Sequence, residues 1–211
     1  MSRPDEPVGR FRARRRMKAD GLGKHAWMDV WTELSPEDGF CWTVESEGGS
    51  GLLLDKGLRS MLRREEESYN SGRIARAALT AENYDLAPAG RDLEGLVHLR
   101  ARPRRRDSTL LDGTFVVTAD TADLVRAEGR LAKGPSFWIP RVDVVRHYAR
   151  LRGHRVLVRV ETVAHVRFLG ESRMVVIYDY EMVNGEELSP SPPSSSPTTR
   201  GAEAGAGAPG R

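Results

Sequence analysis

The sequence predicts a mainly β fold (α+β), in which a curved antiparallel sheet carries a helix on its dry side. Residues from about 93 to 185 read as successive strands joined by short polar turns. From Val156 to Phe168, one set of alternating residues is almost wholly apolar and the other mostly charged, so the sheet has one dry and one wet face. Ahead of this region lies one strongly amphipathic helix.

The predicted strands follow the chain in an up-and-down order. A first hairpin spans residues 26–34 and 40–45, because a Ser-Pro-Glu-Asp-Gly turn separates two strand-like runs. The main strands are placed at residues 93–101, 109–119, 122–133, 142–151, 155–169 and 172–183. Two of these exceed ten residues, and long neighbouring antiparallel strands coil and curl toward a barrel.

The helix is predicted at residues 52–67. Leu54, Leu58, Met61 and Leu62 fall at positions i, i+4, i+7 and i+8, which forms one apolar stripe. Gly57 weakens this helix by about 1 kcal/mol relative to alanine. We expect the stripe to face the dry side of the sheet.

The register of the last hairpin decides which side chains share the dry face. An odd-length loop at Gly170 places Met174, Val176, Tyr178 and Tyr180 on the face of Val160 and Phe168, and this register is preferred because it collects the aromatic residues there. An even-length loop would place Val175 and Ile177 there instead.

Both ends of the chain differ from this central domain of residues 26–187. Residues 1–25 are basic and are predicted to be disordered, and residues 188–211 form a disordered tail of Ser, Pro, Gly and Ala. The basic residues are not followed by the apolar stretch of a secretory signal. We therefore expect either a cytoplasmic protein or a start codon assigned downstream of a real signal peptide.

Composition and motifs argue against several classes. No window approaches the ~20 apolar residues of a membrane-spanning helix. Cys41 is the only cysteine, so no intramolecular disulfide forms, and we expect it to be buried. His147 and His154 flank a turn but lack a third metal ligand, and no Ser nucleophile elbow or phosphate loop is present. We expect no catalytic residues, no metal and no cofactor.

Nucleic-acid binding is also not expected. The basic runs at residues 14–16 and 102–106 contain no interleaved aromatic residues, which single-strand binders use for stacking. These basic runs are compatible with contact to anionic lipid head groups or to an acidic partner.

Several segments carry a family resemblance. Residues 95–99 (GLVHL), 103–107 (PRRRD), 111–118 (LDGTFVVT), 123–133 (DLVRAEGRLAK), 135–138 (PSFW) and 178–185 (YDYEMVNG) resemble bacterial outer-membrane lipoprotein-sorting proteins, which are LolA-like lipoprotein carriers. The likeness covers about residues 27–186. It implies a half-open antiparallel barrel closed on one side by a helical lid, an apolar concavity that holds acyl chains, and a place in the cell envelope or periplasm.

On this basis the sequence predicts a non-enzymatic carrier of lipid or lipoprotein acyl chains that acts as a monomer, with a membrane-associated protein as a further partner. The alternative is a structural or regulatory protein-binding module whose barrel is filled by its own side chains. The residues predicted to line the cavity are Leu58, Met61, Leu62, Phe115, Val117, Trp138, Val158, Val160, Phe168, Tyr178 and Tyr180.

Overall fold

The computed structural model describes residues 8–72 and 78–188. Among them, eleven strands form one antiparallel sheet in the order β3-β2-β1-β10-β9-β8-β7-β6-β5-β4, and β11 pairs with β10. The strands are β1 (Phe11–Gly21), β2 (Lys24–Ser35), β3 (Gly39–Gly49), β4 (Tyr84–Arg91), β5 (Val97–Pro103), β6 (Leu111–Val117), β7 (Leu124–Leu131), β8 (Arg141–Leu151), β9 (His154–Val166), β10 (Gly170–Val183) and β11 (Glu186–Glu187). The sheet is open, since its order runs from β3 at one edge to β4 at the other.

One helical segment, residues 51–70, lies across this sheet and is called the lid helix. It consists of α1 (Gly51–Leu53), a π-helical turn (Leu54–Leu58) and α2 (Arg59–Asn70). Its apolar stripe packs against β1, β2 and β3, and Leu54, Leu58 and Leu62 are buried there. The predicted fold class, a curved antiparallel sheet with a helical lid, is confirmed.

The prediction of disorder for residues 1–25 is wrong for the part that the structure describes. β1 occupies residues 11–21 and is inserted between β2 and β10 in the sheet. Its inner side chains Phe11, Ala13, Arg15, Met17 and Ala19 are all buried, while the alternate positions are mostly cationic and point outward. The run is a half-buried strand whose charge lies mainly on the wet face. Residues 1–7 and the predicted tail from residue 189 lie outside the described residues.

The remaining strand predictions agree with the structure to within a few residues at most ends. β5 begins four residues later than expected because Asp92 Oδ1 accepts hydrogen bonds from the backbone N–H groups of Glu94 and Leu96, which holds this stretch in a turn. Cys41, expected to be buried, is exposed and pairs with Glu33 on β2.

The register predicted for the last hairpin is confirmed for the strand residues. Val176 lies opposite Val160, and Met174 lies opposite Thr162. Tyr178 and Arg15 are partners across the β1–β10 pair, so Tyr178 shares the inner face. The aromatic residues of β10 therefore do face the core side.

The core lies between the lid helix and the inner face of the sheet. A large cluster joins residues of the lid helix to side chains of β1, β2 and β5–β10, and a smaller one gathers Phe11, Ala13 and Phe40 near the β1–β3 end. No helix among the described residues is long and apolar enough to cross a membrane.

Candidate functional site

The candidate site is the inner face of the sheet, defined as the face that the lid helix covers. Beneath the helix this face is fully buried, as Met17, Met28, Val30 and Val176 are at most 1% exposed. Farther from the helix, from β5 to β9, the side chains that pack on the core are only partly buried: Leu99, Val117, Tyr148, Leu157 and Ala164. We call this partly exposed apolar set, from β5 to β9, the apolar strip.

Eight of the predicted lining residues occupy this inner face or the side of the lid helix that faces it. Leu58 and Leu62 are fully buried in the core, and Met61 packs on it while partly exposed. On the sheet, Phe115 and Val160 are buried core residues, and Val117 and Tyr178 pack against them. Tyr180 belongs to the smaller cluster, with its ring edge-on to Phe11 at a centroid distance of 5.8 Å.

The structure places the other three elsewhere. Phe168 is 92% exposed, because the β9–β10 turn interrupts the alternation at Val166 and holds Phe168 at φ +64°. Trp138 lies on the connection between β7 and β8 and is 59% exposed. Val158 is the unpaired residue of a β-bulge, at which Leu157 pairs with Tyr148 and packs on the core instead.

The inner face also carries a buried cation. Arg15 is 1% exposed, and its two terminal nitrogens donate to the Glu65 carboxylate on the lid helix at 2.6 and 2.9 Å. Its Nε donates to Thr32 Oγ1 at 2.9 Å, and its guanidinium carbon lies 4.6 Å from the ring centroid of Tyr178. Burial alone would lower the pKa of Arg15, but the charge and hydrogen bonds of Glu65, together with the nearby phenols of Tyr178 and Tyr180, outweigh burial and raise that pKa. Arg15 therefore stays charged and links the sheet to the lid.

Three partly buried tyrosines surround this ion pair. Burial raises the pKa of Tyr69 to about 12, with a further contribution from the negative charge of Glu65. Burial also raises the pKa values of Tyr178 and Tyr180 well above the ordinary range of tyrosine. These side chains are neutral hydrogen-bonding groups at any physiological pH, and none of them is poised to act as a general base.

A second cation, Arg146, faces inward at the partly exposed strip. It pairs in register with Ala127 and Val160, both of which belong to the core face. Burial raises the pKa of Tyr84 and of Tyr178, and the positive charge of Arg146 opposes that rise at both phenols. Within the described part of the chain Arg146 has no hydrogen bond or ion pair. An anionic group that reaches this strip would meet an available guanidinium.

The lid helix is attached to β3 through both polar and aromatic contacts. Trp42 Nε1 donates to Glu66 at 3.1 Å, and the backbone N–H of Phe40 donates to Asn70 Oδ1 at 3.0 Å. Arg59 forms an ion pair with Glu47 on the same strand. The rings of Phe40 on β3 and Tyr69 on the helix are stacked with their centroids 5.2 Å apart, so apolar packing and polar contacts together hold the lid helix on β3.

The outer face carries mixed charge and no constellation of reactive groups. His147 Nε2 lies 3.7 Å from Glu161, and His154 Nδ1 lies 3.3 Å from the Asn184 amide, so the two histidines have separate partners. A shallow groove of about 580 Å³ runs across β5–β9 on this face, lined by both acidic and basic residues. In residues 8–72 and 78–188, no three His, Cys, Asp or Glu side chains are grouped closely enough to hold a metal ion.

Neither inward-facing arginine was predicted from the sequence. Arg15 lies in the basic segment predicted to be disordered, and Arg146 lies within the strand predicted at residues 142–151. Alternation along the strand would have placed both on the inner face, because every second residue of a strand points to the same side. Arg15 lies between Ala13 and Met17 in this alternation, and Arg146 follows Val142 and Val144 at intervals of two.

Comparisons with known proteins give fold-level similarity alone. No protein-family model and no curated protein matches the chain. Solved structures that are similar include a LolA superfamily protein from Nitrosomonas europaea, with 10% identity, a TM-score of 0.38, and coverage of 88% of this chain and 90% of that one. They also include a DUF1329 family protein from Desulfovibrio piger, with 10% identity, a TM-score of 0.37, and coverage of 82% and 85% respectively.

Proposed function

We propose that the protein is a non-enzymatic carrier that binds the acyl chains of lipids or lipoproteins on the inner face of its sheet, in the bacterial cell envelope. The observation that carries this proposal is the apolar strip from β5 to β9, where Leu99, Val117 and Leu157 remain partly exposed beside a lid helix. Burying a methylene group there is favourable by roughly 0.8 kcal/mol, so a long acyl chain gains substantial binding free energy.

The inner face offers a head-group contact as well. Arg146 lies at the strip without an ion-pair partner among the described residues. A carboxylate or phosphate next to an acyl chain would form a charge-assisted hydrogen bond with it. The ligand class that fits both features is a single- or double-chain lipid with an anionic group at one end.

The lid would control how much of the inner face is open. If residues 51–70 shift away from β3, the apolar side of the helix and the sheet residues beneath it become available, Met17 and Met28 among them. The Arg15–Glu65 ion pair lies between helix and sheet and resists this shift.

Uptake of a fluorescent fatty acid by the purified protein tests the proposal. Val117→Trp and Leu157→Trp fill the strip and are expected to abolish uptake, whereas Val163→Trp on the outer groove is the matched control and is expected to bind normally. Arg146→Gln is expected to lower the affinity for an anionic lipid about tenfold and the affinity for a neutral lipid much less. Equal uptake by all four variants would disprove the site.

The alternative is a protein-binding module whose barrel is filled. The complete burial of Leu58, Met28 and Val176 beneath the lid favours it, since that part of the inner face is already occupied by the protein's own side chains. Native mass spectrometry separates the two: a purified protein that carries no lipid and takes up no fatty acid would support the module and refute the carrier.

A further inference from the structure

Four large apolar side chains are exposed together at one end of the sheet. Phe137 and Trp138, on the β7–β8 connection, are 68% and 59% exposed, and Phe168 and Leu169, in the β9–β10 turn, are 92% and 58% exposed. The two segments touch, because the backbone N–H of Arg167 donates to the carbonyl oxygen of Trp138 at 2.9 Å. We call these four residues the apolar tip.

The tip is ordered by contacts of its own rather than by the core. The rings of Phe137 and Trp138 pack edge to face at 5.5 Å, and the guanidinium carbon of Arg167 lies 4.3 Å from the centre of the Phe137 ring. A contiguous exposed apolar patch costs solubility and usually marks an interaction surface. Here the patch projects at turns, where insertion into another phase disturbs no strand pairing.

A strongly basic groove adjoins the tip. It has a volume of about 540 Å³ and is lined by both stems of the same β7–β8 connection, at Lys133, Gly134, Pro140 and Arg141. Its lining contains seven cationic side chains and one carboxylate, Asp112. That carboxylate already pairs with Arg100 at 2.6 Å and lies 3.5 Å from Arg130.

Several of the cations are available to an external anion. Arg102, Arg106 and Lys133 are exposed and form no ion pair or hydrogen bond with any described residue. The groove therefore has an uncompensated positive charge directly beside exposed aromatic and aliphatic side chains.

We propose that the apolar tip and the basic groove together form a docking surface for a membrane that contains anionic lipids. Aromatic rings favour the head-group region of a bilayer, and adjacent cations gain free energy from negatively charged lipids. The tip would enter the interface while Arg102, Arg106 and Lys133 face the lipid phosphates. This inference goes beyond acyl-chain binding on the inner face and does not depend on it.

A nucleic acid fits the same observations less well. Phosphate binding would use the groove, but it would leave four large apolar side chains exposed to water, and Arg167 already occupies one face of the Phe137 ring, where a base would stack. A membrane that contains anionic lipids accounts for both the apolar tip and the basic groove.

Co-sedimentation of the full chain with vesicles tests the proposal. The protein is expected to bind phosphatidylcholine vesicles that contain phosphatidylserine, and to bind pure phosphatidylcholine vesicles much more weakly. Arg102→Gln/Lys133→Gln is expected to lower the affinity for anionic vesicles about 25-fold, from about fivefold for each cation near the surface. Phe137→Ser/Trp138→Ser is expected to lower it at least tenfold and to abolish quenching of tryptophan fluorescence by brominated lipid.

Two control variants remove the same number of cations and the same number of exposed apolar side chains elsewhere. Arg16→Gln/Lys18→Gln loses two exposed cations from the outer face of β1, and Leu22→Ser/Trp27→Ser loses two exposed apolar side chains from the β1–β2 hairpin. Both are expected to bind vesicles as the unmodified protein does. The proposal is overturned if the tip and groove variants bind as tightly as these controls, or if duplex DNA binds the groove more tightly than anionic vesicles do.

Discussion

Replacing Glu65 with Gln keeps the shape of the side chain but removes the negative charge that neutralises Arg15. In the native protein the Arg15 guanidinium is 1% exposed and donates two hydrogen bonds to Glu65, at 2.6 and 2.9 Å. Glu65→Gln leaves a buried cation with no carboxylate, and removing one partner of a buried ion pair costs about 3–5 kcal/mol. Because the Glu65 side chain is 24% exposed, we expect the lower end, about 3 kcal/mol.

Urea unfolding followed by circular dichroism measures this loss. With a slope of about 2 kcal/mol per molar urea, the midpoint is expected to fall by about 1.5 M. Glu67→Gln is the matched control, since it lies on the same helix with an exposed side chain, and it should change stability by less than about 0.5 kcal/mol.

A second variant distinguishes the ion pair from general sensitivity of this region. Arg15→Met/Glu65→Leu removes both charges and places apolar side chains in the same volume, so its stability is expected to lie close to that of the unmodified protein. If Glu65→Gln is no more destabilising than Glu67→Gln, or if the double variant is the least stable of the three, then Arg15 is not held as a buried charge and the reasoning fails.

Three further perturbations probe the fold. Burial raises the pKa of Tyr69 to about 12, so the folded state holds a proton that the unfolded chain releases near pH 10. The urea midpoint of unfolding should therefore fall as pH rises from about 10 to 12, and a midpoint that does not change with pH would contradict this. Leu58→Ala, in the fully buried stripe of the lid helix, should cost about 2–5 kcal/mol in the same assay. Gly113→Ala should lower the free energy of unfolding by more than about 1 kcal/mol, because the new Cβ would overlap the Glu128 carbonyl oxygen. At Gly57 a new Cβ meets no neighbour, so Gly57→Ala should stabilise the helix by about 0.5–1 kcal/mol. The opposite order of stability for these two variants would refute that account.

Much of the sheet followed from period-2 alternation. β8, β9 and β10 are long, their inner positions are largely apolar, and their turns carry Gly153 and Gly170 at positive φ. The lid helix could also be predicted from the sequence, because its apolar residues form one stripe and that side of the helix is the buried one. Where one face of an element is dry and the other wet, the local sequence contains enough information to place it.

β1 was missed because its inner face includes a charge. Arg15 interrupts an otherwise apolar set, and its compensation comes from Glu65, fifty residues farther along the chain. A buried ion pair is invisible to any local pattern, since each partner alone has the appearance of a surface residue.

The errors at the site have a related cause. In the sequence, Phe168 continues the alternation of β9. In the structure the strand ends at Val166, and a hydrogen bond from the Leu169 N–H to the Val166 carbonyl oxygen closes the turn. The bulge at Val158 shifts parity by one residue, so that Leu157 took the inner position. Single-residue irregularities of this kind have no reliable composition of their own.

The pairing of β1 with β10 has a consequence for how the protein is made. The first strand of the described chain and the last long one are neighbours in the middle of the sheet, and eleven residue pairs from Phe11–Val183 to Gly21–Ser172 join the N-terminal hairpin to the long meander. During synthesis, β1 leaves the ribosome long before its partner exists, so one edge of the hairpin stays unpaired until nearly the whole domain has emerged. Completion of the sheet is therefore a late, non-local step, which predicts slow folding.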